Sequence, residues 1–305
     1  MNIPPFTWPL AATSWLWPAD LPENLRRIKA WDLPISQVAL LFYQLAPSLA
    51  YSARDFEPLG ELACHVHLPL DLPWEAGPEE VWDSLVRLMA LPGGAGRTAG
   101  KVQGEEENAR DGLGGPAGLA GLAGQGGQGG QAGQGRPAGL GGLDGLGGQA
   151  RRPPWGGVLH PPADPKLLAG VARLWRRDAP GWRLMVENVP GQDLGVHWPI
   201  IEDLDIPVCL DVGHLMAFGQ EGLLDRPGLA DRVELMHCYA PGPQPNRHRH
   251  LPLGELLPRQ ALVLGRILGM IRPDTPILFE VFSESDLRES LETFYALTRE
   301  WGMSA

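Results

Sequence analysis

Short apolar runs alternate along this chain with longer stretches in which apolar residues recur every three or four positions, the pattern of strands and amphipathic helices taken in turn. The predicted strands are Leu10 to Leu16, Val38 to Tyr43, Cys64 to Leu68, Trp155 to His160, Arg183 to Val189, Pro207 to Asp211, Val233 to His237 and Pro276 to Phe282. Runs such as V-A-L-L-F-Y, apolar at every position, suit strands buried on both faces. Between them the spacing predicts helices over Pro22 to Trp31, Pro78 to Leu91, Pro165 to Arg177 with Asp164 as its cap, Trp198 to Leu204 and Arg259 to Ile271. A terminal helix, opened by Ser283 and Asp286 in the manner of a capping box, runs to Trp301. Weaker helical signals cover Arg54 to Ala63 and the Pro-interrupted stretch Glu221 to Arg232.

The alternation breaks between Gly93 and Ala150, which hold 23 of the 40 glycines. Such a segment buries too little apolar surface to offset the entropy lost on ordering, so a disordered insertion is expected. A phosphate-cradling Gly loop is disfavoured, because no Lys-Ser or Lys-Thr pair follows at P-loop spacing and no strand leads in. The insertion interrupts one domain rather than separating two. The strand and helix units on either side predict an α/β fold, a (β/α)8 TIM barrel spanning residues 1–305.

The ionisable residues sharpen that expectation. Of the eight histidines, His67, His160, His214 and His237 stand at or just beyond the end of an apolar run, and His248 and His250 follow in the loop after the seventh predicted strand. One histidine so placed is usually a packed or hydrogen-bonded core residue, but independent structural histidines would not share the position. Glu187, Asp211 and Glu280 occupy the same kind of place. The stretch from Val208 to His250 is densest, with V-C-L-D-V-G-H-L, then L-M-H-C-Y, then N-R-H-R-H-L-P-L. In a barrel these strand ends converge on one bowl at the carboxyl edge. Imidazole and carboxylate donors suit zinc, manganese or iron, and no cysteine-pair motif suggests a purely structural zinc. Groups so crowded would repel or be poorly solvated without a cation, which favours a metal site over a metal-free hydrogen-bonded network.

Composition narrows the partners. A net charge of -11 and a pI near 5.2 oppose a nucleic-acid partner, since holding a polyanion normally takes a basic surface. Three cysteines without regular spacing (Cys64, Cys209 and Cys238) fit reduced thiols better than a disulfide framework. No run reaches the roughly eighteen apolar residues of a membrane span, and the first residues lack a signal-peptide pattern, so a soluble cytoplasmic protein is expected. Oligomeric state is not legible.

The order His67, His160, Glu187, Asp211, His214, His237, His250, Glu280 resembles the xylose isomerase-like barrel superfamily, and within it the endonuclease IV branch, which binds up to three metals. That pattern expects an Asp two residues before the last His, where His248 stands here. The strings T-S-W-L-W-P-A-D-L-P-E-N, V-H-L-P-L-D-L, V-C-L-D-V-G-H-L, H-L-P-L and F-E-V-F-S-E-S-D-L-R-E-S-L-E resemble the cobamide-remodelling phosphodiesterases of that branch. The likeness spans nearly the whole chain outside the Gly-rich segment; Gln44 stands where Glu is expected.

The resemblance implies hydrolysis of the nucleotide loop of a cobamide to cobinamide phosphate and a lower-ligand riboside, with two or three divalent ions, zinc or manganese foremost. It implies catalytic roles for Glu187, Asp211 and Glu280. Glu187 would bridge two metals, one also held by His67 and His160 and the other by Asp211, His237 and Glu280; His214 and His250, with His248 beside them, would serve a third. Arg249 is a candidate phosphate contact, and tryptophans around Trp15, Trp17, Trp74 and Trp198 are candidates for covering a flat corrinoid or aromatic base. The alternatives are a sugar isomerase or epimerase on the same barrel, an abasic-site nuclease, and a non-enzymatic corrinoid or metal carrier.

Overall fold

The computed structural model describes residues 8–93, 154–179, 181–243 and 249–303. Apart from Gly93, the last residue of a helix, the Gly-rich segment lies outside the described residues, as does His248.

Eight parallel strands close into a barrel in sequence order: β1 (Leu10–Thr13), β2 (Ile35–Leu41), β3 (Ala63–His67), β4 (Gly156–Leu159), β5 (Arg183–Glu187), β6 (Val208–Asp211), β7 (Val233–Cys238) and β8 (Ile277–Phe279). The (β/α)8 barrel expected from the alternation is thus the fold, and β3 pairs directly with β4 although the Gly-rich segment separates them in sequence. Glycine at the start of β4 has a steric cause. A Cβ on Gly156 would meet the Arg183 carbonyl oxygen at 2.9 Å, and one on Gly157 the Trp175 ring at 3.0 Å.

The helices are α1 (Leu21–Ala30), α2 (Leu45–Leu49), α3 (Pro78–Gly93), α4 (Pro165–Asp178), α5 (Trp198–Asp203), α6 (Val212–Ala217), α7 (Leu229–Arg232), α8 (Pro258–Leu268) and α9 (Glu284–Glu300). Asp164 caps α4 by accepting from the Lys166 N–H at 2.9 Å, and Ser283 caps α9 by accepting from Asp286 N–H at 3.1 Å. The helix expected over Arg54 to Ala63 is instead a 3-10 turn at Ala53–Leu59, because Pro58 interrupts it and Ala63 already opens β3. The region Glu221 to Arg232 splits into a 3-10 turn at Glu221–Asp225 and the single α-turn α7, with Pro227 and a left-handed Gly228 between them. Two short helices, α2 and α6, have too few residues to show a period in the sequence.

Side chains alternate across each strand, and the register sorts them into layers. Inside the barrel Ala11, Ala39, Val158, Met185, Cys209, Leu235 and Leu278 form a small apolar plug. Outward-facing residues such as Leu40, Val66, Val186, Leu210 and Met236 pack under the helices in the main core. The inward residues two positions further along the strands are polar, except Leu41 on β2, so the plug is the floor of a bowl at the carboxyl edge. Among the described residues no helix is long and apolar enough to cross a membrane.

Candidate metal centre

Each charged residue of the bowl is placed by the end of a different strand. His67 and Glu187 are the last residues of β3 and β5, Asp211 the last of β6, and His237 the penultimate residue of β7. His160 and Glu280 stand one position beyond β4 and β8. The paired register Asp211↔His237 puts those two side by side on the inner face.

Glu187 is the hub. It is 1% exposed, and its two oxygens face different neighbours. Oε2 lies 3.2 Å from His67 Nε2 and 3.1 Å from His160 Nε2, whereas Oε1 lies 3.1 Å from His237 Nδ1. His237 Nδ1 is also 3.2 Å from Glu280 Oε2 and 3.7 Å from Asp211 Oδ2. Two groupings with ion-binding spacing therefore meet on Glu187: His67, His160 and Glu187, and then Glu187, Asp211, His237 and Glu280. A third combination, His67, His237 and Glu280, cuts across both.

Backbone contacts orient several of these groups. His67 Nδ1 donates to the Leu68 carbonyl at 3.2 Å, which turns Nε2 toward Glu187. Asp211 divides its carboxylate: Oδ1 accepts the His214 N–H at 2.6 Å as the cap of α6, and Oδ2 is turned toward His237. Asn188, wholly buried, donates from its amide to the Asp211 carbonyl at 2.9 Å and accepts the Asp211 N–H at 2.8 Å. Its amide also reaches Gln220 Oε1 at 3.0 Å, and Gln220 in turn donates to the Val189 carbonyl.

The electrostatics are those of buried, mutually dependent charges. Burial works against ionisation of Glu187, yet His237 and His160 together outweigh it and hold the carboxyl well below the usual range. Burial likewise opposes ionisation of Glu280, and His237 and His250 override it. Burial disfavours a charged His237, but the surrounding Cys209, Glu187 and Glu280 raise its pKa well above the ordinary value. Burial, with Asp211, Glu280 and Glu187 nearby, keeps the Tyr239 phenol protonated far above its usual range.

The donor set fits divalent cations. Among the described residues neither Glu187 Oε2 nor Asp211 Oδ2 meets a hydrogen-bond donor in good geometry, although both are buried. Three buried carboxylates stand here among imidazoles, and no Lys or Arg is buried among the described residues. Such oxygens are costly to bury unless a cation meets them.

The remaining expected ligands stand to one side. His214 Nδ1 donates to the Asn188 carbonyl at 3.0 Å and lies 3.4 Å from Asp211 Oδ2. His250 Nε2 is 3.6 Å from Glu280 Oε2. Tyr239 lies against both, its ring centroid 4.1 Å from that of His250 and 6.3 Å from that of His214. Neither histidine joins the groups of ion-binding spacing among the described residues, and His248 lies outside those residues. Arg249 is exposed on the loop after β7, where its N–H donates to Pro241. Trp198 is core: it is buried under α5 with the Arg226 guanidinium over its ring, so it does not face the bowl. Trp74 packs half-buried on the main core, and Gln44 is exposed at the start of α2.

The sequence pattern left several residues unread. Asn188 follows Glu187 directly, and its part in the site depends on a contact across to β6. Tyr43, Tyr239 and Phe282 each stand two positions after an inward residue (Leu41, His237 and Glu280), and that period of two is a signal that could have found them. His65 stands in the same relation before His67. It sits wholly buried one layer below the cluster against Trp155, and burial pushes its pKa down to about 3, so it stays neutral.

Neither a protein-family model nor a curated protein matches this chain. Solved structures do. The TTHB071 protein of Thermus thermophilus, from a zinc chloride soak, aligns with a TM-score of 0.54 at 20% identity over 97% of this chain and 99% of that one. A xylose isomerase-like TIM barrel protein of Mycobacterium smegmatis in complex with magnesium gives 0.52 at 15% identity, over 96% and 97%. SacUVDE gives 0.52 at 12% identity, over 95% and 99%. At such identities the likeness speaks for the fold alone: the closed eight-stranded barrel of this chain matches the fold of these xylose isomerase-like TIM barrels.

Proposed function

We propose that this chain is a divalent-metal-dependent phosphodiesterase that hydrolyses the nucleotide loop of cobamides, giving cobinamide phosphate and the lower-ligand riboside. The observation that carries the reading is Glu187, whose two oxygens belong to two adjoining groups of ion-binding spacing, one rich in histidine and one in carboxylate. A pair of adjacent cations is the arrangement best matched to an in-line displacement at phosphorus. His67, His160 and Glu187 would hold one ion, and Glu187, Asp211, His237 and Glu280 the other. Bound zinc or manganese would supply Lewis acidity, easing deprotonation of water and offsetting the charge of the phosphodiester.

The chain's own residues do the rest. Glu187, Asp211 and Glu280 bring the negative charge that balances two dications, and the Leu68 carbonyl fixes the tautomer of His67. Tyr239 keeps its proton beside Asp211, as a hydrogen-bond donor at the edge of the cluster. In the net reaction water adds to phosphorus, the bond from phosphorus to the riboside oxygen breaks, and that oxygen leaves with a proton. The phosphate remains on cobinamide.

The choice of substrate rests on the motif likeness, supported by the charge of -11, which opposes a long polyanion such as abasic DNA. The four-residue group would also serve a sugar isomerase or epimerase working with one or two ions. Purified protein incubated with adenosylcobalamin and zinc or manganese is expected to release cobinamide phosphate and riboside, and to stop on chelation. Abasic duplex DNA cleaved with higher kcat/KM under matched metal and low salt would replace the cobamide reading with a nuclease. Binding of adenosylcobalamin without turnover would make the chain a carrier.

A further inference from the structure

The charged cluster occupies only part of the bowl. Beside it opens a cleft of about 380 Å3 lined by Trp15, Trp17, Pro18, Tyr43 and Phe282. Its position follows from strand geometry. Thr13, Leu41 and Glu280 lie at the ends of β1, β2 and β8, which are neighbours in the barrel, and two residues beyond each stands an aromatic: Trp15, Tyr43 and Phe282. The rings therefore form the next tier above the charged layer.

These rings stand edge to face, so they box a space instead of filling it. Trp15 and Tyr43 have centroids 6.0 Å apart at 87°, and Tyr43 and Phe282 6.4 Å apart at 65°. The box shares walls with the cluster, since Tyr43 is 6.1 Å from His67 and Phe282 is 5.0 Å from His250. Its back is braced: Trp17 donates to Glu284 Oε2 at 3.0 Å and packs on Trp31 at 5.4 Å. Trp15 is 48% and Phe282 39% exposed. Two large aromatics held in water at the lip of a charged site, on a rigid backing, are placed to cover something apolar.

We propose that this cleft is the subsite for the planar aromatic base of the leaving riboside, an inference that rests on the phosphodiesterase reading above. The size favours the base over the corrin. A cleft of about 380 Å3 walled by five side chains has room for a bicyclic heterocycle with its sugar, whereas a substituted macrocycle would extend past those walls into solvent. Stacking on aromatic walls tolerates different heterocycles because every base has a π-face, so this subsite selects for aromaticity rather than for one base.

The test uses the full-length, metal-loaded protein, with Trp15→Leu, Phe282→Leu and the ring-retaining Trp15→Phe. Calorimetric titration with 5,6-dimethylbenzimidazole riboside is expected to show binding that weakens about tenfold in each Leu variant and recovers in Trp15→Phe. KM for adenosylcobalamin is expected to rise in parallel, with a smaller change in kcat. Equal riboside affinity in all four proteins would overturn the proposal, as would cobinamide phosphate, which carries the corrin and no base, losing affinity in the Leu variants to the same extent. Turnover with unaltered KM in those variants would sink the cleft and leave the phosphodiesterase standing. Riboside binding lost in the variants without any turnover by the parent protein would do the reverse.

Discussion

At the scale of single residues, Glu187 and Gly213 carry the sharpest consequences. Glu187 is the one carboxylate common to both groups of ion-binding spacing that the proposed reaction needs, so its removal should disable both at once. Glu187→Ala is expected to lose bound metal and to cut activity by more than the roughly 10–100-fold typical of losing a supporting contact, while remaining folded. Metal analysis beside circular dichroism checks this; wild-type metal content and activity would refute the shared role. Gly213 acts through space rather than charge. A Cβ there would lie 2.0 Å from the Tyr239 ring, and that ring packs against His250 at 4.1 Å. Gly213→Ala is therefore expected to displace Tyr239 and to cost about 1–3 kcal/mol as overpacking, read as a lower denaturation midpoint. An unchanged midpoint would mean that the ring moves aside freely.

At the scale of elements, what matters is how one strand end is tied to the next. β5 and β6 pair at two register positions, Val186↔Val208 and Glu187↔Cys209. Asn188 extends that pairing past the strand end by bonding both the N–H and the carbonyl of Asp211. It thereby holds Glu187 and Asp211 at a fixed separation, a positioning part rather than a catalytic one. Asn188→Ala would leave buried backbone groups without partners, at about 1–3 kcal/mol each. The expected result is a lower stability together with metal affinity weakened about 10–100-fold, measured by chelator competition. Lowered stability with unchanged affinity would limit Asn188 to the fold.

At the scale of the whole molecule, the bowl makes stability depend on metal and pH together. Three carboxylates and three imidazoles at the end of one barrel are poorly compensated alone, and cations that bind only the folded state add stability by mass action. At a hundredfold excess over Kd the gain is about 2.7 kcal/mol per site. Its pH dependence has a definite sign. The proton that its neighbours hold on His237 must leave before Nδ1 can accept a cation, so the gain should shrink as pH falls. Thermal denaturation with zinc or manganese against chelator, repeated across pH, checks this. A metal-induced rise in Tm that grows toward acid would contradict the protonated His237.

The sequence by itself determined the strand and helix order, the barrel, and the presence of His67, His160, Glu187, Asp211, His237 and Glu280 at strand ends. Those features are local: a period of two, a period of three to four, and a polar residue ending an apolar run need no knowledge of distant residues. It missed α2 and α6, which are too short to show a period. Tertiary structure alone decided which oxygen of Glu187 meets which histidine, because those partners come from strands far apart in sequence and meet only through closure and register. It also sorted the tryptophans. Trp198 and Trp15 look alike as exposed or buried candidates in a string of letters, yet one fills the core beneath Arg226 and the other overhangs the bowl. An indole is equally suited to either place, and only the packing of its element against the barrel determines whether it meets protein or solvent.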